Sequence, residues 1–323
     1  MKAIQLHAYG GPEVLQYEDA ADLTPGPGEV LIEQSVIGVN FADVMMREGK
    51  YFLKPDLPAI PGLEGTGVVT AVGGSVESIS AGQRVGYVMS LGAYAEQKVQ
   101  PADNVIPIPD GISDEVAGSS LLRGMTAQYL LKSSYAVSEQ DTVLVHSAAG
   151  GVGTLLVQWA KHLGATVIGT VSSDAKADVA TRLGCDLVIN YSDQDFAKEV
   201  RSFTNDKGAT VVYDAVGEST YKGNIEALGI RGYLVNYGAS SGPLPPLDAT
   251  QINSKSLFFN KSSLPHYTLT PAERAERAQE FFNLVAQGVL TPEVSHIYPL
   301  ANAAQAHIDI ASRKTTGSVA LRV

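Results

Sequence analysis

The stretch from Val143 to Thr154, Val-Leu-Val-His-Ser-Ala-Ala-Gly-Gly-Val-Gly-Thr, constrains this chain more than any other. An apolar strand at Thr142–His146 runs into Ala148-x-Gly150-x-x-Gly153, and an apolar helix, Gly151–Leu163, opens directly behind it. Strand, glycine turn and helix in that order form a dinucleotide fingerprint, here with Ala in the first glycine position. The first turn of a helix has N–H groups without intrahelical partners, and its dipole favours negative charge there. Ala149, Gly150, Gly151, Val152 and Gly153 are therefore the expected phosphate cradle. Gly150 would let the backbone touch a pyrophosphate, and Gly153 would let the helix pack close to the sheet. The bland reading of these residues is a tight turn in an α/β domain that binds no nucleotide. The units that follow weigh against it.

Strands and helices alternate from about residue 123. Strands are expected at Thr166–Val171, Leu187–Asn190, Thr210–Ala215, Gly232–Tyr237 and Ser256–Asn260. Helices are expected between them, at Ala175–Leu183, Asp195–Thr204 and near Tyr221–Leu228. Continuous apolar strands between helices indicate a parallel sheet covered on both faces. Six such strands give an α/β fold of the Rossmann type, a doubly wound parallel sheet. Residues 1–120 read differently. Short β-runs such as Glu29–Glu33, Gly67–Val72 and Arg84–Val88 alternate with Gly/Pro punctuation, and one helix interrupts them near Phe41–Glu48. That pattern suits a small barrel or sandwich. A tail with a helix at Pro271–Gln287, a strand at Val294–Tyr298, a helix at Ala301–Ala311 and a last strand at Ser318–Val323 is expected to return to the N-terminal domain.

The end of the second strand decides which dinucleotide is expected. NAD sites usually place Asp or Glu there, against the ribose hydroxyls. This chain reads Gly169-Thr-Val-Ser-Ser-Asp-Ala-Lys176, with Ser172 and Ser173 at the acidic position and Lys176 just beyond. Small hydroxyls and a cation suit a 2′-phosphate, so NADPH is the expected cofactor. Asp174 beside them complicates this, and reads either as a helix N-cap or as a ribose ligand. Tyr191, after the third strand, is a candidate for the adenosine phosphate or else an amphipathic residue at a sheet edge. Tyr237 and Gly238, after the fifth strand, are candidates for the nicotinamide crevice, and Asp214 reads as a structural turn residue.

Composition removes several classes. The net charge is −11, with no run of Lys and Arg, so a nucleic-acid partner is not expected. No apolar stretch is long enough to span a bilayer and the N-terminus lacks a signal-peptide core, so a cytoplasmic protein without membrane partners is expected. Cys185 is the single cysteine, which excludes an intrachain disulfide and a cysteine zinc cluster. The histidines, 7, 146, 162, 266, 296 and 307, show no paired ligand spacing, and most read as surface or satisfied core residues.

Gly10-Gly-Pro-Glu-Val-Leu15, Gly38-Val-Asn-Phe-Ala-Asp43, Pro61-Gly-Leu-Glu-Gly-Thr-Gly67, Leu121-Leu-Arg-Gly-Met-Thr-Ala127, the Ala148–Gly153 turn and Val212-Tyr-Asp-Ala-Val-Gly217 together resemble the zinc-independent NADPH:quinone oxidoreductases. These are the zeta-crystallin-like family of the medium-chain dehydrogenase/reductase superfamily, and the resemblance covers nearly the whole chain. It implies a GroES-like β-barrel catalytic domain over 1–124, an NADPH-binding Rossmann domain over 125–263 and a segment, 264–323, that completes the first. It implies a homodimer pairing edge strands of two nucleotide-binding domains. It implies that Asn40, Thr126, Lys176 and Tyr191 contact NADPH, and that Asn40 and Tyr51 border the acceptor. Zinc-dependent relatives hold their metal with a Cys and with the His of a Gly-His-Glu triplet. The matching positions here are Asn40 and Leu63, which cannot replace a thiolate and an imidazole, so no metal is expected.

Without a Lewis acid, simple alcohols and ketones are poor substrates, whereas a quinone or other conjugated carbonyl is already electrophilic. The expected activity is metal-free hydride transfer from NADPH to a quinone, with Asn40 and Tyr51 polarising the acceptor oxygen. Packing or cofactor positioning is the alternative for both residues. Asp43, three residues after Asn40, is expected to assist the chemistry or to anchor its helix. One rival function keeps the fold and reduces enals, enones or enoyl thioesters. Another is a non-catalytic NADPH-binding sensor or structural protein.

Overall fold

The structure, a computed structural model, describes residues 1–323. In chain order the strands are β1 (Lys2–Leu6), β2 (Leu15–Asp19), β3 (Glu29–Val39), β4 (Glu64–Val72), β5 (Arg84–Val88), β6 (Gln97–Pro101), β7 (Ile106–Pro107), β8 (Thr142–Val145), β9 (Thr166–Val171), β10 (Leu187–Asn190), β11 (Ala209–Asp214), β12 (Leu228–Asn236), β13 (Phe258–Lys261), β14 (Val294–Pro299) and β15 (Ser318–Arg322). The helices are α1 (Phe41–Arg47), α2 (Asp114–Tyr129), α3 (Gly151–His162), α4 (Asp174–Arg182), α5 (Phe196–Phe203), α6 (Tyr221–Ala227), α7 (Ala249–Ser254), α8 (Pro271–Ala286) and α9 (Ala303–Ala311). The chain divides into two compact units. Met1–Arg123, Thr268–Ala286 and Pro292–Val323 form the first, and Gly124–Tyr267 with Gln287–Thr291 form the second.

In the second unit all six strands are parallel, in the order β10-β9-β8-β11-β12-β13. Strand order reverses between β8 and β11, so β8 ends at the topological switch point where such sheets bind ligands. Val143, Leu144 and Val145 of β8 are fully buried, as a strand covered on both faces requires. α3 buries every residue from Gly153 to Ala160 and is correspondingly apolar.

In the first unit β3 is the organising strand. It pairs antiparallel with β4, β6 and β15, so the C-terminal strand closes onto the N-terminal sheet. The eleven residues of β3 extend well beyond the expected Glu29–Glu33 run. Its second half loses the alternation that marks a half-exposed strand because Ile37, Gly38 and Val39 are all buried. Two helices give no clear signal in the sequence. α2 carries Gly118 and Gly124, poor helix formers, and is buried on nearly all sides, so it shows no amphipathic stripe. α7 is only six residues long.

Candidate active site

The turn after β8 is held from both sides of the sheet. His146 N donates to Tyr213 O at 3.1 Å, and Ala148 N to Thr170 O at 3.1 Å. Ser147 takes a left-handed backbone, φ 55°, and its carbonyl accepts from Gly150 N at 2.8 Å. That carbonyl lies under the first turn of α3. A Cβ on Gly153 would overlap it, with Ala148 Cα at 3.0 Å, whereas a Cβ on Gly150 would lie 3.1 Å from the same oxygen. Gly153 is therefore fixed by helix–turn packing. Gly150 is the N-cap, and Gly151, Val152 and Gly153 follow it in the first turn, where N–H groups lack intrahelical acceptors. No acidic side chain stands in this turn. The turn thus has the shape, the free donors and the polarity that a dinucleotide pyrophosphate needs.

One strand further out, Asn190 of β10 is in register with Val171 of β9, and Tyr191 N donates to Val171 O at 3.0 Å. This pairing gathers Ser172, Ser173, Lys176 and Tyr191 at one end of the sheet. Ser192 Oγ donates to Ser172 O at 3.0 Å, and Tyr191 is 39% exposed, its ring available to a ligand. The expected N-cap role of Asp174 is corrected here. Ser173 occupies the cap with extended backbone, and Asp174 is the first helical residue. The Asp174 carboxylate instead accepts from Asn190 Nδ2 at 3.1 Å, tying the two strand ends together. Thr126 is buried on α2.

After β11, Asp214 is wholly buried and saturated. Its carboxylate accepts from the backbone of Val216 and Gly217, from Thr220 Oγ1 at 3.0 Å, and from Asn224 and Asn236 Nδ2. It organises the ends of β11 and β12 as a turn residue. His146 is a satisfied core histidine, joined to Thr170 Oγ1 at 2.8 Å and to Asn224 Oδ1 at 2.6 Å. Tyr237 N donates to Asp214 O at 2.9 Å, and Gly238 lies so close to Ala215 that a Cβ there would stand 2.9 Å from Ala215 Cα.

The first unit holds a different kind of site. Asn40 caps α1, and its backbone N–H donates to the Asp43 carboxylate at 2.8 Å. Its side-chain Nδ2 donates to Glu64 Oε1 at 2.8 Å, which fixes the amide orientation because a carboxylate only accepts. Glu64, at the start of β4, also accepts from Leu122 N at 2.9 Å through Oε2. A Cβ on Gly38 would overlap Glu64 Oε1, so the Gly38-Val39-Asn40 run makes the room that Glu64 occupies. Arg123 donates to the carbonyls of Ser119 and Val39 and faces Glu64. Burial pushes the Glu64 carboxyl up, against the opposing pull of Arg123. Leu63 is fully buried, and no group of three or more His, Cys, Asp or Glu side chains converges as a metal site.

Asp43 is both anchor and anomaly. It completes the N-terminal cap of α1 and accepts from Tyr94 OH at 3.2 Å, yet its Oδ1 has no partner. Burial, countered by the Asn40 N–H and reinforced by Glu64, lifts its pKa to about 7. Tyr51 follows the end of α1, its N–H donating to Met45 O at 3.2 Å and its ring 4.4 Å from that of Phe52. Its hydroxyl is raised to about 12, first by burial and then by the Asp43 charge, so it remains a proton donor. Three participants escape the sequence reading: Glu64, Tyr94 and His307. Tyr94 OH contacts His307 Nε2 at 3.0 Å, and His307 is wholly buried with Nδ1 unpartnered, unlike the satisfied core histidine expected. The only signal is Glu64 in Gly62-Leu63-Glu64. Tyr94 and His307 lie 213 residues apart in sequence and share no motif.

A parallel nucleotide fold joined in one chain to a unit built on a barrel-like, mostly antiparallel sheet defines a two-domain dehydrogenase/reductase. Residues 26–110 match the family described as Alcohol dehydrogenase GroES-like domain, and residues 151–286 match Zinc-binding dehydrogenase, although that span contains only Cys185. A quinone oxidoreductase of Pseudomonas aeruginosa is 42% identical over 99% of each chain. A 2-haloacrylate reductase of a Burkholderia species is 40% identical over 99% of this chain and 98% of its own. The crystal structure of an Escherichia coli quinone oxidoreductase complexed with NADPH superposes with a TM-score of 0.97 at 39% identity, covering 100% of both chains. The chain belongs to the quinone oxidoreductase family of the medium-chain dehydrogenase/reductase superfamily.

Proposed function

We propose that this protein reduces quinones with NADPH, without a metal. The observation that carries the reading is the pairing of the phosphate turn with a strand end that carries the hydroxyls of Ser172 and Ser173 in place of a carboxylate, with Lys176 and Tyr191 beside them. When bound, NADPH supplies a hydride. In the second unit Ala149, Gly150, Gly151, Val152 and Gly153 hold the pyrophosphate, and Ser172, Ser173, Lys176 and Tyr191 hold the 2′-phosphate end. Tyr237 and Gly238 line the nicotinamide side, and Thr126 adds a cofactor contact. In the first unit Asn40 and Tyr51 meet the acceptor. Asn40 Nδ2 keeps one hydrogen beyond the one bound by Glu64, which it directs to the acceptor oxygen, and Tyr51 contributes its phenolic hydrogen.

The residue range 1–124 with 264–323 is the catalytic domain in this reading, and 125–263 the NADPH-binding domain. Zinc independence rests on donor chemistry. Asn40 offers an amide in place of a thiolate, one of its N–H groups bound to Glu64, and Leu63 offers no ligand atom. The protein works in the cytoplasm as a homodimer, joined along the edge strand β13, where Phe258 is 49% exposed. No helix is long and apolar enough to cross a membrane.

A second acceptor class is favoured by one observation, the 40% identity to a 2-haloacrylate reductase. Stopped-flow oxidation of NADPH and NADH with 1,4-benzoquinone, 1,2-naphthoquinone, hexenal, crotonyl-CoA and 2-chloroacrylate separates the readings. NADPH with the quinones should be the fastest pair. Tight NADPH binding with no turnover on any acceptor would point to a sensor instead. Tyr51→Phe should lower quinone turnover and leave NADPH affinity unaltered; unchanged turnover removes Tyr51 from the chemistry.

A further inference from the structure

We infer that Glu64 is a positioning residue: its carboxylate sets the polarity of a hydrogen-bond chain, from Leu122 N through Glu64 to the Asn40 amide, so that Asn40 offers the acceptor an N–H and not a carbonyl. The inference rests on the quinone-reductase reading of Asn40. The chain lies wholly within the first unit. Leu122 N donates to Glu64 Oε2 at 2.9 Å, and Asn40 Nδ2 donates to Glu64 Oε1 at 2.8 Å.

The backbone around Asn40 is already tied down. Arg123 Nη2 donates to Val39 O at 2.6 Å, Asn40 N donates to the Asp43 carboxylate at 2.8 Å, and Asp43 N donates to Asn40 O at 3.0 Å. These bonds leave free the rotation of the side-chain amide, which exchanges Oδ1 with Nδ2. The two settings have the same shape and opposite polarity. A carboxylate has no hydrogen to give, so Glu64 admits only the setting with Nδ2 against it. The second hydrogen of Nδ2 then serves the acceptor oxygen, which can only accept and gains negative charge as hydride is transferred. With the amide turned over, the acceptor oxygen would meet another oxygen.

Glu64 is itself fixed. It is fully buried and faces the Arg123 guanidinium, which compensates its charge. It fills the space a side chain at position 38 would take: the three atoms nearest a Cβ on Gly38 all belong to Glu64. Two substitutions therefore reach Asn40 through Glu64. Glutamine at 64 keeps the shape but has one oxygen and one NH2 in place of two oxygens. The Leu122 N–H must meet the oxygen, which sets the new Nε2 against Asn40. Asn40 then has to turn its Oδ1 to that NH2, and the donor for the acceptor is lost. Gly38→Ala keeps the charge and displaces the carboxyl sterically.

The test compares full-length wild type, Glu64→Gln, Gly38→Ala, Asn40→Ala and the double variant of Glu64→Gln with Asn40→Ala. Three readouts are taken: kcat and KM for 1,4-benzoquinone at saturating NADPH, the proton–nitrogen NMR signals of the Asn40 NH2, and denaturant unfolding. Glu64→Gln should lower kcat roughly 100-fold, as for the loss of one donor to a developing oxyanion, with KM nearly unchanged. Gly38→Ala should lower kcat on a similar scale, since a displacement of about 1 Å suffices. In the wild type one Asn40 NH2 proton should stand well downfield of the other, marking its bond to a charged oxygen, and in Glu64→Gln the two should draw together. Because Glu64 acts through Asn40, the double variant should be no slower than Asn40→Ala alone. Asn40 signals unchanged in Glu64→Gln overturn the inference. So does a Glu64→Gln effect of the same size with and without Asn40, or a loss of stability with wild-type kcat, which is what a residue that only joins β4 to α2 would show. Should Glu64→Gln not fold, wild-type kcat in Gly38→Ala overturns the inference by itself. A wild type that binds NADPH but reduces no quinone overturns the functional reading instead, and this role falls with it even where the Asn40 signals behave as expected.

Discussion

The phosphate turn of the second unit and the Asn40 cluster of the first are built on opposite plans. The turn spans seven consecutive residues, Ser147–Gly153, and works through backbone atoms and the absence of side chains. The cluster draws Asn40, Asp43, Glu64, Tyr94, Arg123 and His307 from widely separated places along the chain and works through buried side-chain charge. Errors in the first are steric and local. Errors in the second are electrostatic and depend on pH. The contrast teaches that one unit fixes backbone shape in a contiguous turn while the other buries titratable groups brought together by the fold.

The largest effect should separate two glycines of one turn. Gly153→Ala forces a Cβ into the Ser147 carbonyl, a backbone atom that cannot rotate away, and should cost at least about 3 kcal/mol of stability. Gly150→Ala meets the same oxygen at 3.1 Å and should cost under about 1 kcal/mol while weakening NADPH binding. Denaturant unfolding of both variants, with NADPH titration, checks the pair. Equal destabilisation would break the distinction between a packing glycine and a ligand-facing one.

The corresponding break in the first unit is a pH effect. Asp43 has a folded pKa of about 7, raised above its ordinary 3.8. Its contribution is therefore fully present below about pH 4 and is lost as pH rises through 7, because burying the charged form is costly. Asparagine does not titrate. Relative to wild type, Asp43→Asn should gain roughly 3 kcal/mol between pH 5 and pH 9. Parallel denaturant curves at the two pH values measure it, and a constant offset between the proteins would show that Asp43 is charged throughout.

This contrast also explains what the sequence could disclose. The turn is readable because its residues are contiguous and each glycine answers one steric demand. The six parallel strands are readable because each is a short apolar run, and their observed limits lie within a few residues of those expected. Glu64 is half-readable: its motif is visible, but its hydrogen bonds to Asn40 and Leu122 depend on strand register. Tyr94 and His307 are not readable at all, since neither position carries a periodic or spacing signal. The α2 helix is hidden by its burial, and the cap falls one residue before the expected Asp174 because Ser173 is an equally good cap by composition.

The smallest predicted effect sharpens the comparison by asking whether side-chain charge also acts in the second unit. Lys176 lies in the first turn of α4, beyond Ser173, at the end of the sheet where Tyr191 also emerges. If its charge holds the 2′-phosphate, Lys176→Ala should raise the Kd for NADPH about tenfold, the equivalent of ~1.4 kcal/mol, and leave that for NADH unchanged. The effect is modest because the site is open to solvent, where one charge contact is screened. Raising the salt concentration should narrow the difference between wild type and variant. The backbone cradle, which both coenzymes share, should show no such selectivity between them. Equal weakening of NADPH and NADH would mean that Lys176 supports the helix rather than the phosphate, and that coenzyme choice rests on the missing carboxylate at Ser172 and Ser173 alone.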